Sequence, residues 1–300
     1  MISIDEWKTK GKIEKLNGFD VFFIDTFEIE KPTILLIHGF PTASWDWQAI
    51  WPALEQKYRL VALDMLGFGF SEKPKGHNYS IHEQADIVEA LIEYLDLENF
   101  HVLAHDYGDT VAQELLARQN DGIGKGDWLS CCLLNGGLFP EQHRPLLIQK
   151  LLRSPIGPLV NKLQSRARFG KTFKGIFGKN TPPSDAEIDG FWALMNANDG
   201  KTVFPRLIRY LSDRAKHRLR WRAALKDARI PLALINGSVD PISGAHMVKF
   251  YREVIGEPAY LAELSEIGHY PQVEAPGEVI EHYYAFLEIA KGFPSGAGSI

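Results

Sequence analysis

Short apolar runs alternate along the chain with longer stretches in which apolar residues recur every three or four positions. The first pattern is typical of strands buried on both faces of a parallel sheet, and the second of amphipathic helices. The short runs predict seven strands: Val21–Phe27, Thr33–Ile37, Leu60–Leu63, Phe100–Ala104, Leu129–Leu134, Leu232–Ile235 and Ala259–Leu264. The helical patterns cover Ser80–Leu95, Val111–Arg118, Ile242–Val254 and Glu278–Lys291. This alternation predicts a doubly wound, mostly parallel α/β sheet.

The alternation of strands and helices is interrupted once. It stops after the strand at Leu129–Leu134 and resumes near Ile230, and the intervening residues have a mostly helical pattern. We expect this insertion to cover the carboxyl ends of the strands, where open α/β sheets bind ligands. We therefore predict four segments. They are a first core part at 1–137, a helical cap domain at 138–228, a second core part at 229–292, and a flexible tail rich in Gly and Ser at 293–300.

Charge is distributed unevenly between the predicted core and the predicted cap. The 300 residues have a net charge of −5, yet residues 142–184 contain nine Lys or Arg and no Asp or Glu. Residues 142–222 together carry +12, which leaves −17 for the rest of the chain. This contrast supports an inserted module. Because the core is strongly acidic and no recognition motif is present, we do not expect a nucleic-acid partner.

Apolar content and cysteine usage are typical of a globular cytoplasmic protein. With 45% hydrophobic residues, the chain can bury a full α/β core. No apolar run approaches the ~18 residues of a membrane span, and no signal peptide is visible. The two cysteines, Cys131 and Cys132, are neighbours in a predicted strand, so their side chains point to opposite faces of the sheet. We expect free core thiols, no disulfide and a cytoplasmic location.

The segment between the strand at Phe100–Ala104 and the helix at Val111–Arg118 has the pattern of a nucleophile turn. Small residues, Ala104 and Gly108, stand two positions before and two after Asp106. A sharp strand-to-helix turn that presents a nucleophile is strained, and bulk at those two positions would clash. A carboxylate at its centre attacks carbon directly and forms an alkyl-enzyme ester. The alternative role of Asp106, a plain helix N-cap, explains the aspartate but not the small residues.

A second loop is predicted to complete an oxyanion hole. His38-Gly39-Phe40-Pro41 directly follows the strand at Thr33–Ile37. The loop after this strand supplies one backbone N–H, here from Phe40, and the residue after the nucleophile, Tyr107, supplies the other. An ordinary Gly-Pro turn is the alternative. The glycine turn at 64–71, after the next strand, is given a structural role.

Two further loops contain the predicted acid and base. Asp240 follows the strand at Leu232–Ile235, and His269, between Gly and Pro, follows the last strand. The order nucleophile, acid, base along the chain matches that of α/β hydrolases. Asp240 precedes Pro241, so a helix N-cap is its alternative role. The other usual place for the acid, after Leu129–Leu134, holds Asn135 instead of a carboxylate.

Several stretches of the chain resemble a known group of enzymes. The main ones are His38–Trp47, His105–Leu116 and Asn135–Leu147, and the likeness continues at Asn198–Gly200, Tyr210, Arg220–Trp221 and His269–Gln272. They resemble the epoxide hydrolase and haloalkane dehalogenase branch of the α/β-hydrolase superfamily, and more closely the mesoderm-specific transcript protein family. The resemblance covers nearly the whole chain. It implies an α/β-hydrolase fold with a cap and an aspartate nucleophile, and it leaves the substrate undefined.

The resemblance also bears on which side chains stabilise the leaving halide or the epoxide oxygen of the substrate. Dehalogenases of this branch hold the halide with a Trp after the nucleophile and a second donor in the His-Gly loop, where this chain has Tyr107 and Phe40. Epoxide hydrolases have Phe at the second position and protonate the epoxide oxygen from the cap, usually with a tyrosine pair. The cap tyrosine near that position is Tyr210, and His143 is the candidate second donor. Core packing is the alternative for both.

Two enzymatic functions and one binding function fit these residues. The leading hypothesis is hydrolysis of a small apolar epoxide to a diol through a covalent ester on Asp106, with water as the second substrate. A haloalkane dehalogenase, acting on a halogenated substrate by the same first step, is the alternative enzyme. A non-catalytic ligand-binding protein on the same fold is the third hypothesis. No metal cluster or phosphate-binding glycine loop is evident, so neither a cofactor nor a metal is expected, and the oligomeric state is not predicted.

Apolar and basic residues are interleaved in one part of the predicted cap. The apolar ones are Phe169, Phe173, Ile176 and Phe177, and the basic ones are Lys171, Lys174 and Lys179. The favoured interpretation is that the apolar side chains line a pocket while the lysines are solvated. The alternative is a weak membrane-surface contact through an amphipathic segment, which the nearby glycines would weaken as a helix.

Overall fold

An eight-stranded sheet forms the centre of the described chain. The computed structural model describes residues 1–154 and 156–293, so residues 294–300 of the predicted tail lie outside the described part. The strands are β1 Gly11–Leu16, β2 Phe19–Asp25, β3 Thr33–Ile37, β4 Arg59–Leu63, β5 Asn99–His105, β6 Asp127–Leu134, β7 Leu232–Gly237 and β8 Tyr260–Leu264. Their order is β1-β2-β4-β3-β5-β6-β7-β8. The pairs β1–β2 and β2–β4 are antiparallel and the later pairs are parallel, which confirms the mostly parallel sheet.

The first strand, β1, is absent from the sequence prediction. It lies at the edge of the sheet, and among its residues only Leu16 is buried. Because so little of this strand is buried, its sequence has no apolar run from which a strand could be predicted. The turn that joins it to β2 does carry a signal, because Asn17 and Gly18 both have positive φ, 47° and 87°. Asn-Gly is the pair that two-residue hairpin turns prefer.

Helices pack on the sheet and fill the interval between β6 and β7. They are α1 Ile4–Lys10, α2 Trp51–Glu55, α3 Ile81–Tyr94, α4 Tyr107–Asn120, α5 Leu147–Arg153, α6 Gly157–Lys162, α7 Arg166–Lys174, α8 Asp185–Asn196, α9 Phe204–Leu207, α10 Tyr210–Lys226, α11 Ala245–Val254, α12 Pro271–Glu274 and α13 Pro276–Lys291. Short 3-10 segments cover Ser44–Trp47 and Ala197–Thr202. None of the helices in the described ranges is both long and apolar enough to cross a membrane.

The two faces of the sheet bury separate apolar layers. Along β3, Leu35 and Ile37 belong to one buried cluster, which also contains apolar residues of α3 and α4. Ile34 and Leu36 belong to the other, which contains residues of α13. This arrangement is that of a doubly wound sheet with helices on both faces. The free cysteines follow the same rule, because Cys131 lies in the first cluster and Cys132 in the second.

Residues 138–228 are called the cap from here on, with the boundaries that the sequence predicts. Between β6 and β7 the regular structure of the described residues is helical throughout, from α5 to α10. The closest packing between cap and core joins α10 to α4, the helix that follows the nucleophile turn. This contact brings α10 next to the helix that begins directly after Asp106.

Candidate active site

The turn between β5 and α4 holds Asp106 in a strained backbone conformation. Its φ is 46° and its ψ is −101°, a region that residues other than glycine rarely adopt. Gly108 lies so near β3 that a Cβ atom would overlap the carbonyl groups of Ile37 and His38. A small residue is therefore needed at position 108 because a side chain there would overlap the backbone at the end of β3. The side chain of Asp106 makes no capping hydrogen bond to α4, so the alternative role as N-cap is wrong.

The loop after β3 reaches the carboxylate of Asp106. The backbone N–H of Phe40 donates to Asp106 Oδ2 at 3.1 Å. Tyr107 is the first residue of α4, a position whose N–H has no acceptor within the helix. The buried His38 anchors the loop, since its Nε2 accepts from the N–H of Met65 at 3.0 Å. One backbone donor, the N–H of Phe40, thus contacts the carboxylate, and the N–H of Tyr107 as the second oxyanion-hole donor stays a prediction.

The predicted acid and base meet at the ends of β7 and β8. His269 Nδ1 is 2.7 Å from Asp240 Oδ2. His269 Nε2 is 3.8 Å from Asp106 Oδ2, so the imidazole stands between the two carboxylates. Asp240 also accepts from the N–H of Ile242 at 2.7 Å, as a capping residue would. The structure therefore brings Asp106, Asp240 and His269 together.

Asparagine at the end of β6 supports the acid instead of replacing it. Asn135 Nδ2 donates to Asp240 Oδ2 at 3.0 Å, and its Oδ1 accepts from the N–H of Gly237 at 2.7 Å. The hydroxyl of Ser243 is 2.8 Å from the same oxygen of Asp240. These donors satisfy a carboxylate that is almost fully buried, and they fix its orientation toward His269.

The charges in this group stabilise one another. Burial alone would raise the pKa of Asp106, but the hydrogen bond and charge of His269 and the charge of Arg214 hold it well below its usual range. Burial alone would lower the pKa of His269, yet the charge of Asp240 and the hydrogen bonds to both carboxylates raise it to about 10. The two shifts run in opposite directions, and both favour a resting site in which a carboxylate lies beside an imidazolium.

Arg214, on α10 of the cap, is a site residue that the sequence reasoning missed. Its side chain is buried, and Nη2 is 3.1 Å from the backbone carbonyl of Asp106 and 3.6 Å from its Oδ1. Nε donates to Thr110 Oγ1 at 2.7 Å, and the guanidinium lies 4.6 Å from the centre of the Tyr210 ring. One signal in the sequence could have found it. Arg214 lies four residues after the predicted site residue Tyr210, and residues four apart lie on the same face of a helix.

The two predicted proton donors lie next to this arginine. The ring of Tyr210 packs against Tyr107, with centroids 4.8 Å apart, and its hydroxyl has no hydrogen-bond partner among the described residues. Arg214 Nη1 faces His143 Nδ1 at 3.5 Å, so a neutral imidazole carries its proton on Nε2, which also lacks a partner in this part of the chain. Burial and the charge of Arg214 lower the pKa of His143 to about 3, so it is neutral near pH 7. Both groups can donate, although neither lines the cavity described next.

A cavity of about 100 Å³ opens beside the carboxylate and the imidazole. Asp106, His269 and Phe40 line its core side. Its cap side is mostly apolar and includes Phe169, Phe173, Ile176, Trp192 and Phe204. All four apolar residues of the interleaved cap segment, 169, 173, 176 and 177, are buried. Three of them, Phe169, Phe173 and Ile176, line the cavity, so their placement favours the pocket interpretation over insertion into a membrane surface.

The interpretation of the glycine turn at 64–71 also has a structural outcome. Asp64, in the glycine turn, accepts from the N–H and the hydroxyl of Ser44 at 2.8 and 2.6 Å, which confirms the structural role of that turn. Within residues 1–154 and 156–293, no group of three or more His, Cys, Asp or Glu side chains is arranged to hold a metal ion.

Comparison with known proteins decides the family. The family described as alpha/beta hydrolase fold matches residues 32–276. The protein is an α/β hydrolase. This hydrolase is 40% identical over 294 residues to the Mesoderm-specific transcript protein of Mus musculus, which covers 95% of this chain and 88% of that protein. It is 39% identical over 285 residues to a protein of Mycobacterium tuberculosis named as a hydrolase, LipZ, with 95% and 98% covered.

More distant similarities agree with the hydrolase fold. The hydrolase is 33% identical over 141 residues to Epoxide hydrolase 1 of Caenorhabditis elegans, which covers 43% of this chain and 34% of that protein. Its structure matches that of haloalkane dehalogenase DbeA from Bradyrhizobium elkani USDA94 with a TM-score of 0.76 at 22% identity, covering 94% and 97% of the two chains. The predicted family resemblance is thereby confirmed, and the hydrolase is an enzyme by its relatives.

Proposed function

We propose that this hydrolase opens epoxides to diols through a covalent ester on Asp106. The observation that carries the proposal is the placement of a buried carboxylate at the strained turn, 3.8 Å from an imidazole that Asp240 orients at 2.7 Å. A carboxylate nucleophile forms an ester with the carbon it attacks, and an oriented histidine is the base that hydrolyses such an ester. The apolar lining of the cavity suits an uncharged reactive group.

In the first step a carboxylate oxygen of Asp106 bonds to an epoxide carbon, and that carbon releases the ring oxygen. The ring oxygen takes a proton from Tyr210 or His143, and the imidazolium of His269 replaces the proton that the donor loses. Both donors have a proton without an acceptor in the resting site. Arg214 stands beside them, and its positive charge favours the anion that develops there.

The second step follows because the first one changes the charge at Asp106. Once it is an ester, Asp106 no longer raises the pKa of His269, and the neutral imidazole becomes the base that the reaction needs. It takes a proton from water, whose oxygen adds to the ester carbonyl. The N–H groups of Phe40 and Tyr107 face the oxyanion, each worth about 3 kcal/mol. The acyl–oxygen bond then breaks, and the proton of the new carboxyl group passes to the departing alkoxide.

The covalent ester can be trapped by removing the base. His269→Gln retains the nucleophile but cannot activate water, so intact mass spectrometry after addition of styrene oxide should show a stable adduct on Asp106. Asp106→Asn, which keeps the shape of the turn, is the matched control and should show none. Turnover of the epoxide by the wild-type enzyme with no adduct on the His269 variant would overturn the proposal.

Dehalogenation is the second candidate because the fold matches a haloalkane dehalogenase. The site favours it less, because Phe40 has no side-chain N–H or O–H that could hold a halide. Halide release from dibromoethane, compared with diol formation from styrene oxide, separates the two reactions. Stoichiometric binding without turnover of any epoxide, haloalkane or ester would instead favour the binding protein.

A further inference from the structure

A second concavity, of about 1000 Å³, lies on the cap surface and adjoins the cavity at Asp106. Leu152, Asn161 and Lys201 line both spaces, so they form the wall between them. The side-chain amide of Asn161 donates to the carbonyl of Lys201, and Lys201 Nζ donates to the carbonyl of Gln164 at 2.5 Å. Leu152 belongs to the short helix α5, Asn161 to the short helix α6, and Lys201 to the 3-10 segment Ala197–Thr202.

The larger space, called the basic groove here, has an excess of positive charge. Its cationic residues are Arg153, Lys162, Lys201, Arg206 and Arg209. In the described part of the chain none of these five forms an ion pair with a carboxylate. The one carboxylate of the groove, Asp213, already accepts from the N–H of Ile81 at 3.1 Å. Clustered cations that lack carboxylate partners attract anions.

The sizes of the two spaces bear on the shape of a substrate. A cavity of about 100 Å³ has room for the reactive group and a few carbon atoms. The remainder of any larger substrate must lie outside it, and the basic groove is the adjoining space. An apolar cavity next to a groove of cations fits a molecule with an apolar reactive end and an anionic end.

We propose that the basic groove binds the anionic head, a carboxylate or a phosphate, of an amphiphilic substrate whose epoxide end enters the cavity at Asp106. This inference rests on the proposed epoxide hydrolysis for its reactive end, while the head-binding site rests on the groove alone. Arg206, within α9, and Arg209, directly before α10, are the side chains assigned to the head. Both are specificity residues that act on binding and not on the bond-breaking steps.

A kinetic comparison tests the assignment with matched substrates. The substrates are 10,11-epoxyundecanoate and its methyl ester, which differ only in the charge of the head. We expect the double variant Arg206→Gln/Arg209→Gln to raise KM for the acid about tenfold with kcat unchanged, and to leave the ester unaffected. Arg218→Gln, an exposed arginine of α10 outside the groove, is the control and should change neither substrate. Equal effects on acid and ester, or an equal effect of the control, would overturn the assignment.

A binding measurement keeps the groove testable if no epoxide is opened. Decanoate and decyl phosphate should raise the melting temperature of the wild-type protein in a salt-dependent way, and the double variant should lose this increase. The ligand that gives the larger increase in melting temperature shows whether the groove prefers a carboxylate or a phosphate head. The proposal fails if wild type and double variant respond equally, or if inorganic phosphate alone gives the full increase, since then no amphiphile is recognised. Loss of turnover with intact head binding would instead refute the epoxide chemistry.

Discussion

Arg214 shows how a single side chain from residues 138–228 can hold the proposed nucleophile, Asp106. Its guanidinium is buried between the carbonyl and the carboxylate of Asp106. Removing one member of a buried charged pair leaves the other uncompensated. We expect Arg214→Met to lower the free energy of unfolding by about 3 kcal/mol and to raise the pKa of Asp106. Urea unfolding measures the first effect, and the exposed Arg218→Gln should stay within about 0.5 kcal/mol of wild type.

The hydroxyl of Tyr210 has a chemical role in the proposal but no structural one. Because this hydroxyl makes no hydrogen bond within residues 1–154 and 156–293, Tyr210→Phe should leave the melting temperature unchanged while the ring keeps its contacts. Loss of a general acid lowers kcat by about 100-fold or more. Steady-state kinetics with an epoxide checks this. If the Tyr210 variant kept full kcat and His143→Ala lost it, the proton donor would be His143.

Sequence reasoning locates some site residues and not others for a physical reason. Asp106, Asp240 and His269 each follow a strand of a parallel sheet, so local pattern and chain order suffice to bring them to one edge. Arg214 and the cations of the groove reach the site only through the packing of cap helices on the core. A local pattern carries no information on that packing.

At the scale of elements, the ends of β6 and β7 offer two positions for the acid. The strands pair in parallel with Leu134 opposite Ile235, so Asn135 and Asp240 follow adjacent strand ends. We expect Asp240→Asn to lower kcat by about 10³-fold or more, because the imidazole loses its orientation and charge partner. Adding Asn135→Asp should restore part of this loss, as measured by diol formation. Asn135→Asp alone should not raise activity.

Elements buried on both faces are predictable from the sequence, and the edge strand is not. The central strand β3 is buried at every position, and its apolar run marks it. At the edge, β1 buries only Leu16, so its pattern resembles that of a loop. The apolar pattern predicts the helix after Asp106 from Val111 onward, yet α4 begins at Tyr107, because the strained turn occupies only one residue.

At the scale of the whole molecule, the asymmetry of charge along the chain sets residues 142–222 apart from the rest. The excess of basic residues between 142 and 222 lies in the cap helices, and part of it lines the groove. The same composition does not reveal which cations are neutralised. Arg166, for example, pairs with Asp189 at 2.7 Å, whereas Arg209 lines the groove without a carboxylate partner among the described residues. Tertiary pairing therefore decides which part of a basic segment can bind an anion.

The coupling between His269 and the two carboxylates predicts a pH-dependent stability of the whole fold. The folded-state pKa of His269, raised to about 10, lies above the unfolded value of about 6.5. The resulting stabilisation is fully present below about pH 6.5 and is lost as pH rises toward 10, because the folded state then holds a proton that the unfolded state has released. The wild-type advantage over His269→Gln in free energy of unfolding should therefore shrink across this range. Groups common to both proteins, such as Lys73, Cys131 and Cys132, cancel in that difference. Urea titrations at several pH values measure it, and a constant difference would mean that the imidazole is neutral in the folded resting site.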